Sequence, residues 1–331
     1  MMQQKRKASA RPEPKTYIVQ ASNLTSREVY RYPGGEQENV LNGIHLNVRR
    51  GESWGIVSRE AFENELLMEI IGNVRPYESG RCVLVERGMM RKKRMILPHV
   101  FFISGDNQLF GNMNTLEYLM YVTSHFAVQA VQRQAAMLEL LLLSGLYYLT
   151  LVPIKYLTEA EKAVICLFSA CLSDALLVIF SVAELTFTPP LFQGIRFIAD
   201  TITSKGGALL IGTQDCDMVQ AACSHAGFLL NGSLVRQGSM GEMLAHLDRR
   251  AFILSSDRPE KLSVALQAAR PDLDIRTFGK EIHVYGDGTH AVTEAELLTL
   301  LLQAGETAET IQASKKTLKN AFREVTSGHD L

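Results

Sequence analysis

Six apolar residues in a row, Ala175-Leu-Leu-Val-Ile-Phe180, with helical patterns on both sides, constrain this chain more than any other feature. A strand with one wet face alternates apolar and polar residues. A strand that is apolar throughout is covered on both faces, as a central parallel strand is between two layers of helices. The flanking segments fit that picture. Thr158 to Leu172 reads as a helix opening on Thr158-Glu-Ala-Glu161, the spacing of a capping box. Leu191 to Ser204 reads as a second helix, followed by an apolar strand at Ala208 to Gly212 and a helix at Asp217 to Cys223. Earlier, the buried strand Ser53 to Val57 runs into a helix from about Phe62 to Gly72, with Leu66, Leu67, Ile70 and Ile71 at helical spacing.

Around this core the sequence predicts shorter strands at Tyr17 to Gln20, Val40 to Val48, Gly80 to Val85 and Val100 to Ile103. Asn114 to Gly145 reads as mostly helical, with Asn114 and Glu117 at capping-box spacing. Asn231-Gly232 turns a hairpin between Ala226 to Leu230 and Ser233 to Gln237. The alternation of strand and helix predicts an α/β domain built on a mostly parallel sheet. After Arg250 the pattern restarts as a small α+β module, read as β-α-β-β-α, with a last helix near Thr317 to Val325. At roughly 150 residues per domain, 331 residues suit two domains. The expected division is a disordered basic tail over 1–15, a main domain over 16–248 and an accessory domain over 249–331.

Composition excludes several classes. Hydrophobic residues at 47% and charged residues at 21% argue against a disordered chain. A net charge of −1 argues against a polycation that coats nucleic acid. Cys82, Cys166, Cys171, Cys216 and Cys223 form no Cys-x-x-Cys pair, which disfavours zinc and fits a reducing compartment. The longest apolar stretch, Leu140 to Ile154, is interrupted by Ser144, Gly145, Thr150 and Pro153 and is too short to span a bilayer. The basic cluster Arg87, Arg91, Lys92, Lys93 and Arg94 reads as a solvated turn.

A series of segments in fixed order resembles the ATP-binding cassette (ABC) transporter ATPase. Asn39 to Val57 is similar to that family's lead-in to its phosphate loop, and Asp106 to Leu119 to the segment after its glutamine loop. Tyr156 to Lys162 falls at its signature helix, Leu176 to Phe180 at its Walker B strand, Leu209 to Asp215 at its switch histidine, and Phe228 to Ser239 at its closing hairpin. Lys316 to Gly328 resembles the C-terminal helix of export-type cassettes. The resemblance implies a P-loop NTPase-like ABC ATPase fold: a parallel sheet core, an antiparallel β subdomain and a helical subdomain, here with a small C-terminal α+β module. It also implies a cytoplasmic place, peripheral on the inner face of the cell membrane. Its partners would be a membrane-spanning transporter subunit and a second ABC ATPase subunit, with no nucleic acid. Asp106 to Val122 would be the docking segment.

The residues that carry the family's chemistry are replaced. The phosphate loop G-x-x-x-x-G-K-[ST] closes its backbone round the phosphates, neutralises them with Lys and binds Mg²⁺ through Ser/Thr. Here it corresponds to Ser58-Arg-Glu-Ala-Phe-Glu-Asn-Glu65, with Ser58 and Glu63 at the glycines, Asn64 at the lysine and Glu65 at the metal-binding hydroxyl. Glu60, Glu63 and Glu65 would then lie where the triphosphate sits, offset only by Arg59. Carboxylates also suit a helix N-terminus by ~0.3–1 kcal/mol each, so Glu63 and Glu65 are expected to supply the charge that nucleotide supplies in the family.

The glutamine loop corresponds to Gly105 or Ser104, the metal-binding Asp to Ser181, and the catalytic Glu to Val182. The switch His corresponds to Gln214, and the signature L-S-G-G-Q to Leu157-Thr-Glu-Ala-Glu161. The loop after Walker B reads Phe187-Thr188, and Glu184 would be a displaced carboxylate only with a two-residue shift. An aromatic for adenine remains at Tyr32 or Tyr30. The family-equivalent nucleotide positions are thus Tyr32, Ser58, Asn64 and Glu65, with no catalytic residue, no metal ligand and no cofactor expected. The resemblance then implies a catalytically inactive subunit acting as a structural or regulatory partner. A conventional ATP-hydrolysing subunit with divergent motifs and a soluble pseudo-ATPase scaffold are the alternatives.

Overall fold

The computed structural model describes residues 17–31, 37–85, 87–88, 99–105, 109–124, 129–173, 175–245, 251–285, 293–305, 307–313 and 316–329. The tail over 1–15, Tyr32, Asp174 and Arg91 to Arg94 lie outside the described residues. The chain divides into two compact units, residues 1–236 and 237–331.

In the first unit, β1 (Tyr17–Ser26) lies between β4 (Ile44–Arg49) and β6 (Tyr77–Leu84) in an antiparallel sheet that β7 (Arg87–Gly88) extends, while β2 (Val29–Arg31) and β3 (Gln37–Asn39) pair by themselves. β4 alternates buried and exposed residues, as its sequence predicts for a strand with one wet face.

The main sheet has the order β12-β11-β5-β10-β9-β8, made of β5 (Ser53–Ser58), β8 (Val100–Ser104), β9 (Leu177–Ser181), β10 (Ala208–Thr213), β11 (His225–Leu230) and β12 (Ser233–Ser239). Neighbours from β11 through β8 run parallel. Every residue of β5, β9 and β10 is buried, which is what their unbroken apolar runs require. Helix α1 (Ala61–Ile71) follows β5 and buries Leu66, Leu67, Met68, Ile70 and Ile71 among the strands. At ~1.5–3 kcal/mol per fully buried large side chain, this face fixes the helix against the sheet far more firmly than its intrinsic propensity does.

The helical region contains α2 (Thr115–Val122), α3 (Ala130–Leu143) and α4 (Glu159–Ala170). Asn114 caps α2 and Thr158 caps α4, each in a complete capping box with Glu117 and Glu161, as their spacing predicts. Helices α5 (Pro189–Ser204) and α6 (Cys216–Ala222) follow β9 and β10. No described helix is long and apolar enough to cross a membrane.

The second unit begins with α7 (Met240–Ala245). It continues as β13 (Ala251–Ser255), α8 (Pro259–Ala269), β14 (Asp274–Phe278), β15 (Glu281–Tyr285), α9 (Glu294–Ala304) and β16 (Thr310–Ala313), and closes with α10 (Leu318–His329). Its sheet order β14-β15-β13-β16 is antiparallel throughout, a ferredoxin-like β-α-β-β-α-β arrangement rather than the expected β-α-β-β-α. Leu254, Ile282 and Val284 on one face of the sheet pack with Leu262, Leu266 and Leu297 of the two helices.

Candidate functional site

The parallel register brings most of the expected positions to one place, the C-terminal edge of the main sheet, where ligands of open α/β sheets bind. Ser104 of β8 and Gly212 of β10 both pair with Ser181 of β9, and Thr213 pairs with Val57, one residue before Ser58.

What stands there is not an open loop. β5 ends at Ser58 and α1 starts at Ala61, so only Arg59 and Glu60 link strand to helix. Five residues of the phosphate-loop counterpart, 61 to 65, are therefore helical. The amides without an intrahelical partner are therefore confined to the first turn of α1 rather than spread along an extended loop. Ser58 is buried and its hydroxyl donates to the Glu60 carbonyl at 2.8 Å, closing the turn on itself.

Asn64 is fully buried. Its Nδ2 donates to the Ile56 carbonyl at 2.7 Å and to the Thr213 carbonyl at 3.1 Å. The side chain at the lysine position thus joins the ends of β5 and β10 instead of facing a ligand. Gly212 makes room for it, since a Cβ there would stand 2.5 Å from Asn64 Oδ1.

Glu63 corrects the sequence expectation. It does lie in the first turn of α1, but it is fully buried, and Oε1 accepts a 3.1 Å hydrogen bond from the Gly232 N–H in the closing hairpin. Only Glu60 and Glu65 of the three carboxylates are exposed. The hairpin position demands glycine: Gly232 has φ +74°, and a Cβ would stand 2.4 Å from the Val40 carbonyl.

Of the two expected aromatics, Tyr30 is described: it is about two-fifths exposed and meets Phe62 of α1 at a 45° tilt, with ring centroids 4.7 Å apart. Phe62 falls at a position the loop motif leaves free, so the sequence reading assigned it nothing. Gln214, at the switch position, is exposed and donates its amide to the Arg59 carbonyl. Ser181 and Val182 are buried, and the Val182 N–H donates to the Gly212 carbonyl at 2.8 Å.

The signature counterpart is likewise closed. The Thr158 N–H donates to Glu161 Oε2 at 2.9 Å and the Glu161 N–H to Thr158 Oγ1 at 3.2 Å, so the chain's own carboxylate sits at this helix start. Glu159 pairs with Lys162 at 2.7 Å.

Beside these positions lies a cavity of about 480 Å³ at the ends of β9 and β10. Leu185, Phe187 and Phe192 give it apolar walls, and Glu184, Asp215 and Asp217 line it with acid. Asp215 is engaged, since its Oδ1 accepts from the Asp217 and Met218 N–H groups at the start of α6. Among the described residues neither Lys nor Arg lines the cavity, so the field of those that do disfavours an anion. Glu184 is exposed at the rim and Thr188 lies outside the lining.

The expected docking segment is described from residue 109 onward. Its Phe110 and Tyr121 are each about half exposed and meet edge to face with centroids 5.3 Å apart. All five cysteines are buried free thiols, and burial raises Cys82 and Cys171 to about 12, which leaves them protonated and unreactive.

No family model matches the chain. The chain is similar to the methionine import ATP-binding protein MetN of Streptomyces coelicolor, 23% identical over 239 residues covering 69% of this chain and 67% of that protein. MetN 1 of Salmonella typhi is 24% identical over 275 residues, covering 78% and 77%. A putative ABC transporter ATP-binding protein of Listeria monocytogenes is 18% identical over 216 residues, covering 63% and 79%. Among solved structures, cbiO1 of Clostridium perfringens, described as part of the ABC transporter complex cbiONQ, superposes with a TM-score of 0.56 at 19% identity, covering 70% of this chain and 92% of that one. A dimeric ATP-binding cassette bound to ADP and Pi superposes with a TM-score of 0.54 at 14% identity, covering 67% and 99%. The α/β core, antiparallel β subdomain and helical region thus form the ABC ATPase fold, and the sequence is similar to proteins named as ATP-binding proteins of ABC transporters and of methionine import.

Proposed function

We propose that this chain is a catalytically silent cassette subunit of an ABC transporter. It would act as a structural or regulatory half beside a membrane-spanning subunit and an ATPase subunit that keeps its own phosphate loop. The observation that carries the reading is the conversion of the phosphate loop into the first turns of α1, with Asn64 tied to the ends of β5 and β10.

The residues in place do not fit magnesium ATP. The lysine position is a buried amide, and the metal positions are Ser181 and exposed Glu65. Tyr30, one of the two rings expected for adenine, is tilted against Phe62, and the neighbouring cavity is acidic. Two unit charges 4 Å apart interact by about 4 kcal/mol at an effective dielectric near 20, so losing the lysine charge to Asn64 beside the exposed acids Glu60 and Glu65 weakens triphosphate binding by orders of magnitude. Val182 can neither accept a proton nor orient water.

The exposed aromatic pair Phe110 and Tyr121 lies in the expected docking segment and supports a retained contact with a membrane subunit. The placement on the inner face of the membrane follows from that contact. The second reading, a conventional ATP-binding subunit with divergent motifs, draws on the relatives, which are named as ATP-binding proteins. Equilibrium binding of fluorescent ATP to the purified chain with Mg²⁺ separates the two. No saturable binding at up to about millimolar nucleotide is expected, whereas micromolar affinity, within the usual range for enzyme substrates, favours the second reading. A pull-down from membranes tests the partners, and recovery of the chain with no membrane protein would favour a scaffold.

A further inference from the structure

The second unit carries an ionisable cluster around one buried histidine that the cassette reading does not use. His283 on β15 is 1% exposed in its side chain, on the sheet face opposite the core formed by Ile282 and Val284. Its Nδ1 lies 3.3 Å from the Tyr285 hydroxyl. Its Nε2 lies 3.6 Å from Glu281 Oε2, beyond hydrogen-bond distance. That same Oε2 accepts a 2.9 Å hydrogen bond from Arg323 of α10. Arg276 of β14 donates to the Glu324 carbonyl of α10 at 3.3 Å and pairs with Asp274 at 3.0 Å. The groups facing the imidazole are therefore Glu281 and Tyr285 on its own strand, Arg276 and Asp274 on β14, and Arg323 and Glu324 on α10.

We propose that His283 is the proton sensor of a latch holding α10 on the sheet: protonation draws the Glu281 carboxylate from Arg323 to the imidazolium and loosens the helix. Glu281 Oε2 is the shared element. A neutral ring leaves it to Arg323. A charged ring adds an N–H donor 3.6 Å away and a third cation beside two guanidiniums, so the new pair forms at the expense of the contact that α10 makes. Burial, aided by Arg323 and opposed by Glu281, holds the imidazole below its ordinary 6.5, so the latch is shut at neutral pH and opens on the acid side.

Hydrogen–deuterium exchange on the full chain, corrected for intrinsic rates, tests this. Between about pH 7.5 and about pH 5, protection of 318–329 should fall severalfold relative to 259–269 in α8, because the opened helix leaves a ring that binds the proton more readily. In His283→Gln the ratio should stay flat. A constant ratio in the wild type, or an equal fall in His283→Gln, overturns the proposal. Should His283→Gln fail to fold, Arg323→Gln serves, since Arg323 is partly exposed. It should lower α10 protection already at neutral pH and abolish the pH dependence, and a retained wild-type pH profile in Arg323→Gln also overturns it.

Discussion

Asn64 gives the sharpest test of the closed site. Asn64→Ala removes two buried hydrogen bonds, of 2.7 and 3.1 Å, and leaves the Ile56 and Thr213 carbonyls without that donor. At about 1 kcal/mol net per bond, plus the cost of unpaired buried acceptors and a small void, the loss comes to about 2–4 kcal/mol. A unit of this size shifts by about 2–4 °C per kcal/mol, so the melting temperature of the first unit should fall by about 4–16 °C. Asn64→Lys restores the side chain that the phosphate-loop motif requires, and it separates the two readings. If the loop is only dormant, the lysine should bind Mg-ATP, and nucleotide at 100 times its Kd would raise stability by about 2.7 kcal/mol. If the turn is closed as described, the lysine places an ammonium at a fully buried position and lowers stability at least as much as alanine does, with no response to nucleotide. Thermal melts of the wild type and both variants, with and without Mg-ATP, read this directly. An Asn64→Lys protein as stable as the wild type, or one that melts higher with ATP, refutes the reasoning.

Other outcomes follow from the same geometry. Glu63→Ala strips the buried Gly232 N–H of its acceptor and should cost about 1–3 kcal/mol in urea unfolding, whereas Glu63→Gln keeps an acceptor and should cost less. Gly232→Ala forces a Cβ to within 2.4 Å of the Val40 carbonyl at φ +74°, and should lower soluble expression and stability together, by about 2–4 kcal/mol. Thr158→Ala removes the cap of α4 and should cost about 1 kcal/mol by chemical denaturation. His283 is held below 6.5 in the folded chain, so the unfolded chain binds the proton first. Its contribution is full above pH 6.5 and is lost as the pH falls from there towards the folded value. Unfolding free energy measured across that window should drop in the wild type and drop less in His283→Gln.

Much of the main domain was legible because its signals are strong and local. The unbroken run Leu177 to Phe180 could only be a covered strand, and Asn114 with Glu117 and Thr158 with Glu161 form the capping boxes their spacing predicts. Other features lack such a signal. β16 is four residues on a sheet edge with three of them exposed, so it shows no apolar alternation, and the module was read one strand short. β1 was read only to Gln20, but it runs to Ser26 through register shifts that blur its alternation. The residues at 58–65 can be compared with the phosphate-loop motif one by one, but their geometry depends on distant partners. Glu63 meets Gly232 across 169 positions and Asn64 meets Thr213 across 149, and no local pattern reports such pairings.

The order of strands has a consequence for synthesis. β5 emerges early, yet its neighbours β10 and β11 are encoded roughly 150 to 170 residues later, and the turn that receives Glu63 comes after both. Until the ribosome reaches Ala208 the buried strand β5 has no mate on either side, and until it passes Gly232 the carboxylate of Glu63 has no lodging. The nascent chain must therefore be kept from sticking to its neighbours for most of its translation, and a message truncated before that codon should yield an aggregating fragment rather than a smaller folded protein.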